Sequence, residues 1–211
     1  MDKTKLVKYI FDKHAAAYQD RFMDVSLYHD SLDIFCNALQ KQDAAILELA
    51  CGPGNITRYL LNKRPNLTIL GVDLSENMIA LARQNCPEAV FEVMDCRDIG
   101  NLEKKYNGVI AGFCFPYLSR EEVVIVIGDA SSLLIPSGVL YISTMEDDYA
   151  TSGWRTSSTG DKVYMYNHEE GYLTAALEKS NFKIIDLQRK EYPGRDGEKV
   201  VDLIITAILQ K

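Results

Sequence analysis

Ile46-Leu47-Glu48-Leu49-Ala50-Cys51-Gly52-Pro53-Gly54-Asn55 is an apolar run that meets an acid and then breaks into glycines. Such a run predicts a buried strand that empties into a tight loop. Gly52 and Gly54 permit a sharp turn and let a ligand approach the backbone without meeting a Cβ. Asn55-Ile56-Thr57-Arg58-Tyr59-Leu60-Leu61 then starts a helix whose N-terminal amides point at the loop. A ligand-cradling strand–loop–helix unit is the expectation.

Two further acids stand at the ends of neighbouring predicted strands. Leu67-Thr68-Ile69-Leu70-Gly71-Val72-Asp73 is β-rich and apolar and ends on a carboxylate nineteen positions past Gly54. In a βαβ unit that spacing places Asp73 at the tip of the adjacent parallel strand, where its oxygens can accept both hydroxyls of a ribose. Ala89-Val90-Phe91-Glu92-Val93-Met94-Asp95-Cys96 reads as another strand, and Asp95 at its tip can accept from the exocyclic amine of adenine. A dinucleotide would fit the glycine loop and Asp73. Against it, Thr57 stands where that fingerprint needs a small residue, and Glu48 would face a pyrophosphate with like charge. Ribose, adenine and a positive charge describe S-adenosylmethionine.

These segments together resemble the class I S-adenosylmethionine-dependent methyltransferases over nearly the whole chain. Glu48-Leu49-Ala50-Cys51-Gly52-Pro53-Gly54 is similar to the family's first motif, with Ala50 replacing its first glycine. Val72-Asp73-Leu74-Ser75-Glu76-Asn77-Met78 and Met94-Asp95-Cys96-Arg97 resemble the second and third. Asn107 to Leu118 occupies the fourth-strand motif, with Asn107 and Pro116-Tyr117 in place of an Asp and a His-His pair. Leu133 to Ile142 is similar to the late Pro-Gly-Gly segment.

The resemblance implies an α/β fold: a Rossmann-like, seven-stranded, mostly parallel sheet with helices on both faces, an antiparallel C-terminal strand and an N-terminal helical lid. It implies that S-adenosylmethionine is held by Glu48 at the ammonium, directly or through water, with Ala50 and Gly52 as companions. Cys51 and Gly54 complete the loop. Asp73 takes the ribose, Asp95 and the Cys96 amide take the adenine, Leu74 and Met78 wall it, and Phe113 lies near the reacting methyl. Tyr18 is the expected lid contact. The catalytic residue is left open, with Tyr18 and His168 as candidates. The expected activity is methyl transfer to a small molecule. A cofactor-binding module without its own transfer activity and a nicotinamide-linked oxidoreductase remain alternatives.

Composition bounds the rest. The 211 residues are 47% hydrophobic and 25% charged, ordinary for one self-sufficient domain. A net charge of −7 without a basic stripe argues against nucleic acid as acceptor. The N-terminus lacks a signal-peptide pattern and no apolar run has membrane-span length, so a cytoplasmic monomer or homodimer with no membrane association is expected. Five cysteines without a Cys-x-x-Cys pair predict reduced thiols and no metal site; Cys36 and Cys86 read as small hydrophobes.

One methyltransferase domain is expected, in four regions. Residues 1–42 are a helical lid carrying Tyr9, Phe11, Tyr18, Phe22, Tyr28 and His29. Residues 43–145 form the cofactor-binding core, 146–167 an insert and 168–211 a closing helix and hairpin. Gly153 to Asn167 reads as a hairpin whose Trp154, Arg155, Tyr164 and Tyr166, with His168 beside them, could line an acceptor pocket. Ser119-x-x-Glu122 and Asn167-x-x-Glu170 have capping-box spacing, the second opening a helix from Glu169 to Ser180 that Asn181 ends. Phe182–Leu187 and Val200–Ala207 read as strands joined by a turn at Pro193-Gly194-Arg195-Asp196-Gly197.

Overall fold

The computed structural model describes residues 3–156, 160–194, 197 and 199–210. The tip of the 153–167 hairpin and part of the Pro193–Gly197 turn lie outside them. Two helices, α1 (Lys3–Phe22) and α2 (His29–Ala38), precede an alternating core. That core runs β1 (Ala45–Leu49), α3 (Asn55–Lys63), β2 (Thr68–Asp73), α4 (Glu76–Asn85), β3 (Val90–Val93), β4 (Tyr106–Gly112), α5 (Arg120–Leu133) and β5 (Leu134–Met145). A small hairpin, β6 (Gly153–Thr156) and β7 (Lys162–Met165), leads to α6 (Glu170–Lys179), β8 (Phe182–Pro193) and β9 (Lys199–Leu209).

The sheet order is β3-β2-β1-β4-β5-β9-β8. Neighbours from β3 to β5 are parallel, and β9 inserts antiparallel between β5 and β8. The apolar runs of β1 and β4 are buried on both faces, as central parallel strands must be. One core packs Leu47, Leu49, Val109 and Ala111 against α5 and α6, and the other packs Ile46, Ile69 and Ile110 against α2 and Leu60. The chain winds outward from β1 in one direction and returns through β4 in the other. The crevice for a ligand therefore opens at the carboxyl ends of β1 and β4.

Several local readings need correction. Ser119 and Glu122 close the expected capping box on α5. Asn167 caps nothing. Its side chain donates to Thr151 Oγ1 at 2.6 Å, tying the end of the insert back to the turn near its start, and α6 starts without a side-chain cap. Asn181 does take the left-handed conformation, φ 63°. Strand β8 runs to Pro193 rather than Leu187. Its polar residues Gln188 to Glu191 are compatible with an edge strand that keeps one face in water.

Candidate functional site

The loop after β1 is held by backbone bonds. Cys51 N donates to Val72 O at 3.0 Å, Gly52 N to Asp73 Oδ2 at 2.9 Å and Gly54 N to Cys51 O at 3.0 Å. Ala50, Gly52 and Gly54 have φ of 50°, 53° and 83°. Ala50 thus sits in the left-handed region, which costs a non-glycine residue about 1–2 kcal/mol. The two glycines differ in role. A Cβ on Gly52 would stand 3.7 Å from the Tyr18 ring, on the open side of the loop. One on Gly54 would stand 3.2 Å from Cys86 Sγ, so Gly54 serves close packing of α3 against α4 and does not line the cavity.

The three acids occupy unequal positions. Asp73 lines the cavity and accepts from Gly52 N and, at 2.8 Å, from Ser75 N, locking the loop to the start of α4. Burial raises its pKa, and the two backbone amides oppose that rise. Asp95 also lines the cavity, but its carboxylate is already engaged. Arg97 folds back two residues to grip both oxygens, at 2.9 and 2.5 Å, and also reaches Glu122. Against the burial that would raise it, this contact holds Asp95 below the usual carboxylate range.

Glu48 is fully buried behind the loop and is not among the cavity-lining residues. Thr57 Oγ1 donates to it at 2.5 Å, the partner that the sequence reading missed. Burial raises Glu48 to about 8, Thr57 opposing and Asp73 adding to the rise. Its folded pKa therefore lies above the unfolded value, and stability falls as pH rises from the unfolded pKa through about 8. Glu48→Gln in the ligand-free protein should remove this loss, at up to about 1.4 kcal/mol per pH unit within the window. Denaturant titrations of both proteins from pH 5 to 9 check it. Parallel stability curves would show Glu48 titrating normally.

A cavity extends from this loop, under helix α1. Ala50, Gly52, Asp73, Leu74, Met78, Asp95, Cys96 and Phe113 line it, as does Tyr18. Cys51 is buried beneath the loop, and burial raises its thiol pKa well above normal. Phe113, like Ala50, carries a left-handed φ, 53°, at the cavity wall. Backbone strain of this kind gathers at functional sites.

Helix α1 closes the cavity, contributing Thr4, Val7, Lys8, Phe11 and Tyr18. It is latched by Asp12, which accepts from Ser75 Oγ at 2.6 Å and Asn77 N at 3.2 Å at the start of α4. Phe11 meets Tyr18 and Tyr117 edge-on, with centroids at 5.7 and 5.2 Å. Neither Asp12 nor Arg97 is singled out as a site residue by the sequence; Asp12 meets partners more than sixty residues on, whereas Arg97 has Asp95 two positions away.

The insert does something other than expected. Trp154, Arg155, Tyr164 and Tyr166 are not cavity-lining; the hairpin backs the lid from outside. Lys3 Nζ lies 3.4 Å from the Tyr164 ring centroid and 3.0 Å from the Tyr166 hydroxyl, while Asp161 meets Lys13 and His14. His168 is likewise not a candidate base facing the cavity. It is fully buried, hydrogen-bonded to Phe115 O at 2.7 Å and to the Tyr172 hydroxyl. Burial lowers it to about 4 despite the Phe115 carbonyl. Its bond and that of Tyr166 N to Pro116 O, at 2.8 Å, instead fix the turn that presents Tyr117.

Comparison with known proteins adds an independent line. Residues 46–138 match the family model described as a methyltransferase domain. The malonyl-[acyl-carrier protein] O-methyltransferase of Priestia megaterium is 33% identical over 68% of this chain and 53% of its own length. A trans-aconitate 2-methyltransferase from Variovorax paradoxus is 34% identical over 47% of this chain and 38% of its own. The chain thus spans about half the length of such relatives, or less. A magnesium protoporphyrin IX methyltransferase from Synechocystis PCC 6803, solved with bound SAH, superposes with TM-score 0.73 at 17% identity, covering 99% of this chain and 100% of that one. Among the described residues no helix is long and apolar enough to cross a membrane.

Proposed function

Because the chain belongs to the class I S-adenosylmethionine-dependent methyltransferases, we propose that it transfers a methyl group from S-adenosylmethionine to a small-molecule acceptor. The observation that carries this reading is Asp73, a half-buried acid bonded to the Gly52 amide inside a lidded cavity. Among the described residues no cationic side chain hydrogen-bonds to Asp73 or to the deeper Glu48, and burial raises both. Such a site suits a ligand that brings hydroxyls and a positive charge.

In this reading Asp73 accepts from the ribose hydroxyls, and Asp95 and the Cys96 amide receive the adenine between Leu74 and Met78. Ala50, Gly52 and Tyr18 hold the amino-acid end, which Glu48 senses through the loop. Phe113 stands near the methyl. When bound, the sulfonium supplies a methyl carbon with a neutral leaving group, so no acid is needed for departure. The protein's part is alignment and exclusion of water, and alignment alone can supply about 7–11 kcal/mol.

The direct test is binding. S-adenosylhomocysteine at a hundredfold excess over its dissociation constant should stabilise the fold by about 2.7 kcal/mol, read as a rise in melting temperature. No shift with this ligand beside a clear shift with NAD would overturn the reading in favour of an oxidoreductase. Binding without labelled-methyl transfer to any member of a metabolite pool would favour a cofactor-binding module.

A further inference from the structure

Among the described residues the cavity's cations, Lys8 and Arg97, are both spent on acids: Lys8 on Asp12 and Glu76, Arg97 on Asp95 and Glu122. Phe11, Tyr18, Phe113 and Tyr117 also line it, presenting ring surfaces and two phenol hydroxyls. Neither the Tyr18 nor the Tyr117 hydroxyl bonds to any described residue. Burial, with Asp73 adding to it, pushes Tyr18 up to about 12 and raises Tyr117 as well, so both remain protonated at neutral pH. Behind Phe113 lies a further acid. Tyr28 packs on the Phe113 ring with centroids 5.4 Å apart and donates to the fully buried Asp202 at 2.7 Å. Tyr192 also reaches Asp202, at 3.3 Å, and no described cation contacts it.

We propose that the acceptor is an uncharged planar molecule, packed against these rings and hydrogen-bonded through its polar edge to the Tyr117 hydroxyl. The inference rests on the methyl-transfer reading and names the substrate class for it. Aromatic walls favour a flat ring at centroid distances of about 4.5–7 Å, and protonated phenols satisfy a neutral donor–acceptor edge. A carboxylate would enter a cavity whose cations are already paired, with Asp73 on its wall and Asp202 buried behind Tyr28, losing hydration without gaining a cation. In the step itself a lone pair on the acceptor's nitrogen or oxygen forms the new bond to carbon. The C–S pair returns to sulfur, and the acceptor's proton passes to solvent once the cavity opens, since neither phenol is ionised to take it.

The test uses the whole protein with methyl-labelled S-adenosylmethionine and two acceptor panels. One holds uncharged phenols and N–H heteroaromatics, the other aliphatic di- and tricarboxylates with a malonyl thioester. Label is expected in the planar panel alone. Tyr117→Phe should then raise the acceptor KM about tenfold, the scale of one hydrogen bond, while cofactor affinity stays within about twofold. Comparable turnover of a carboxylate, an unchanged KM in Tyr117→Phe, or no turnover with any planar acceptor by protein that binds cofactor would each overturn the inference. Failure to bind cofactor would overturn the underlying reading instead.

Discussion

Asp73→Ala is expected to weaken S-adenosylhomocysteine binding about 10- to 150-fold, from loss of charge-assisted contacts worth roughly 1.5–3 kcal/mol. The geometry adds a second consequence. Asp73 accepts from the amides of Gly52 and Ser75, so alanine frees both, loosening the loop and the start of α4 together. A lowered melting temperature should therefore accompany the lost affinity. Asp73→Asn separates the two effects, because the amide oxygen can keep one backbone bond while the charge is gone. Calorimetric titration of the three proteins is the measurement. Wild-type affinity in the alanine variant would place the ribose elsewhere in the cavity.

The parts of this arrangement legible in the sequence were those written in contiguous residues. The runs at Ile46–Leu49 and Leu67–Asp73 are strands because apolar, β-branched stretches of that length bury on both faces, and the glycines after Ala50 leave no alternative to a turn. What escaped notice was what depends on distant partners. Thr57 counted only as a poor fit to a dinucleotide loop, yet it is the hydroxyl that holds Glu48. Asp12, in a helix of ordinary composition, meets α4 more than sixty residues on. His168 follows directly on the insert expected beside the site, which made it a candidate base; burial against Phe115 and Tyr172 removes it from the cavity. Asp95 was read as a free acceptor, although Arg97 stood two positions away and could have been paired with it from the sequence alone.

The lid carries the second large expectation: removing residues 1–22 should lower the rate of methyl transfer at least about 100-fold, while cofactor affinity falls less than about tenfold. A misplacement near 1 Å is enough to cost that much in rate, and an open cavity also admits water to the reacting centre. The nucleoside contacts proposed for Asp73, Asp95 and Met78 come from β2, the turn after β3 and α4, which all remain, and the truncation costs them only the Asp12 bonds to the start of α4 and the Thr4 bond to Arg97. Tyr18 and Phe11, by contrast, reach the cavity only through α1. Tyr18→Ala tests the same point without deleting a helix, and Asp12→Ala tests the latch. Each should depress turnover more than affinity. Helix α1 is interrupted at His14, φ −112° and ψ 15°, between the latched Asp12 and the ring of Tyr18. Opening therefore has a place to bend, and hydrogen exchange in Phe11–Phe22 should slow when S-adenosylhomocysteine binds. Full-rate transfer by the truncated protein, with exchange indifferent to ligand, would make α1 a packing element and move the search for the acceptor contacts to Phe113, Tyr117 and Tyr28.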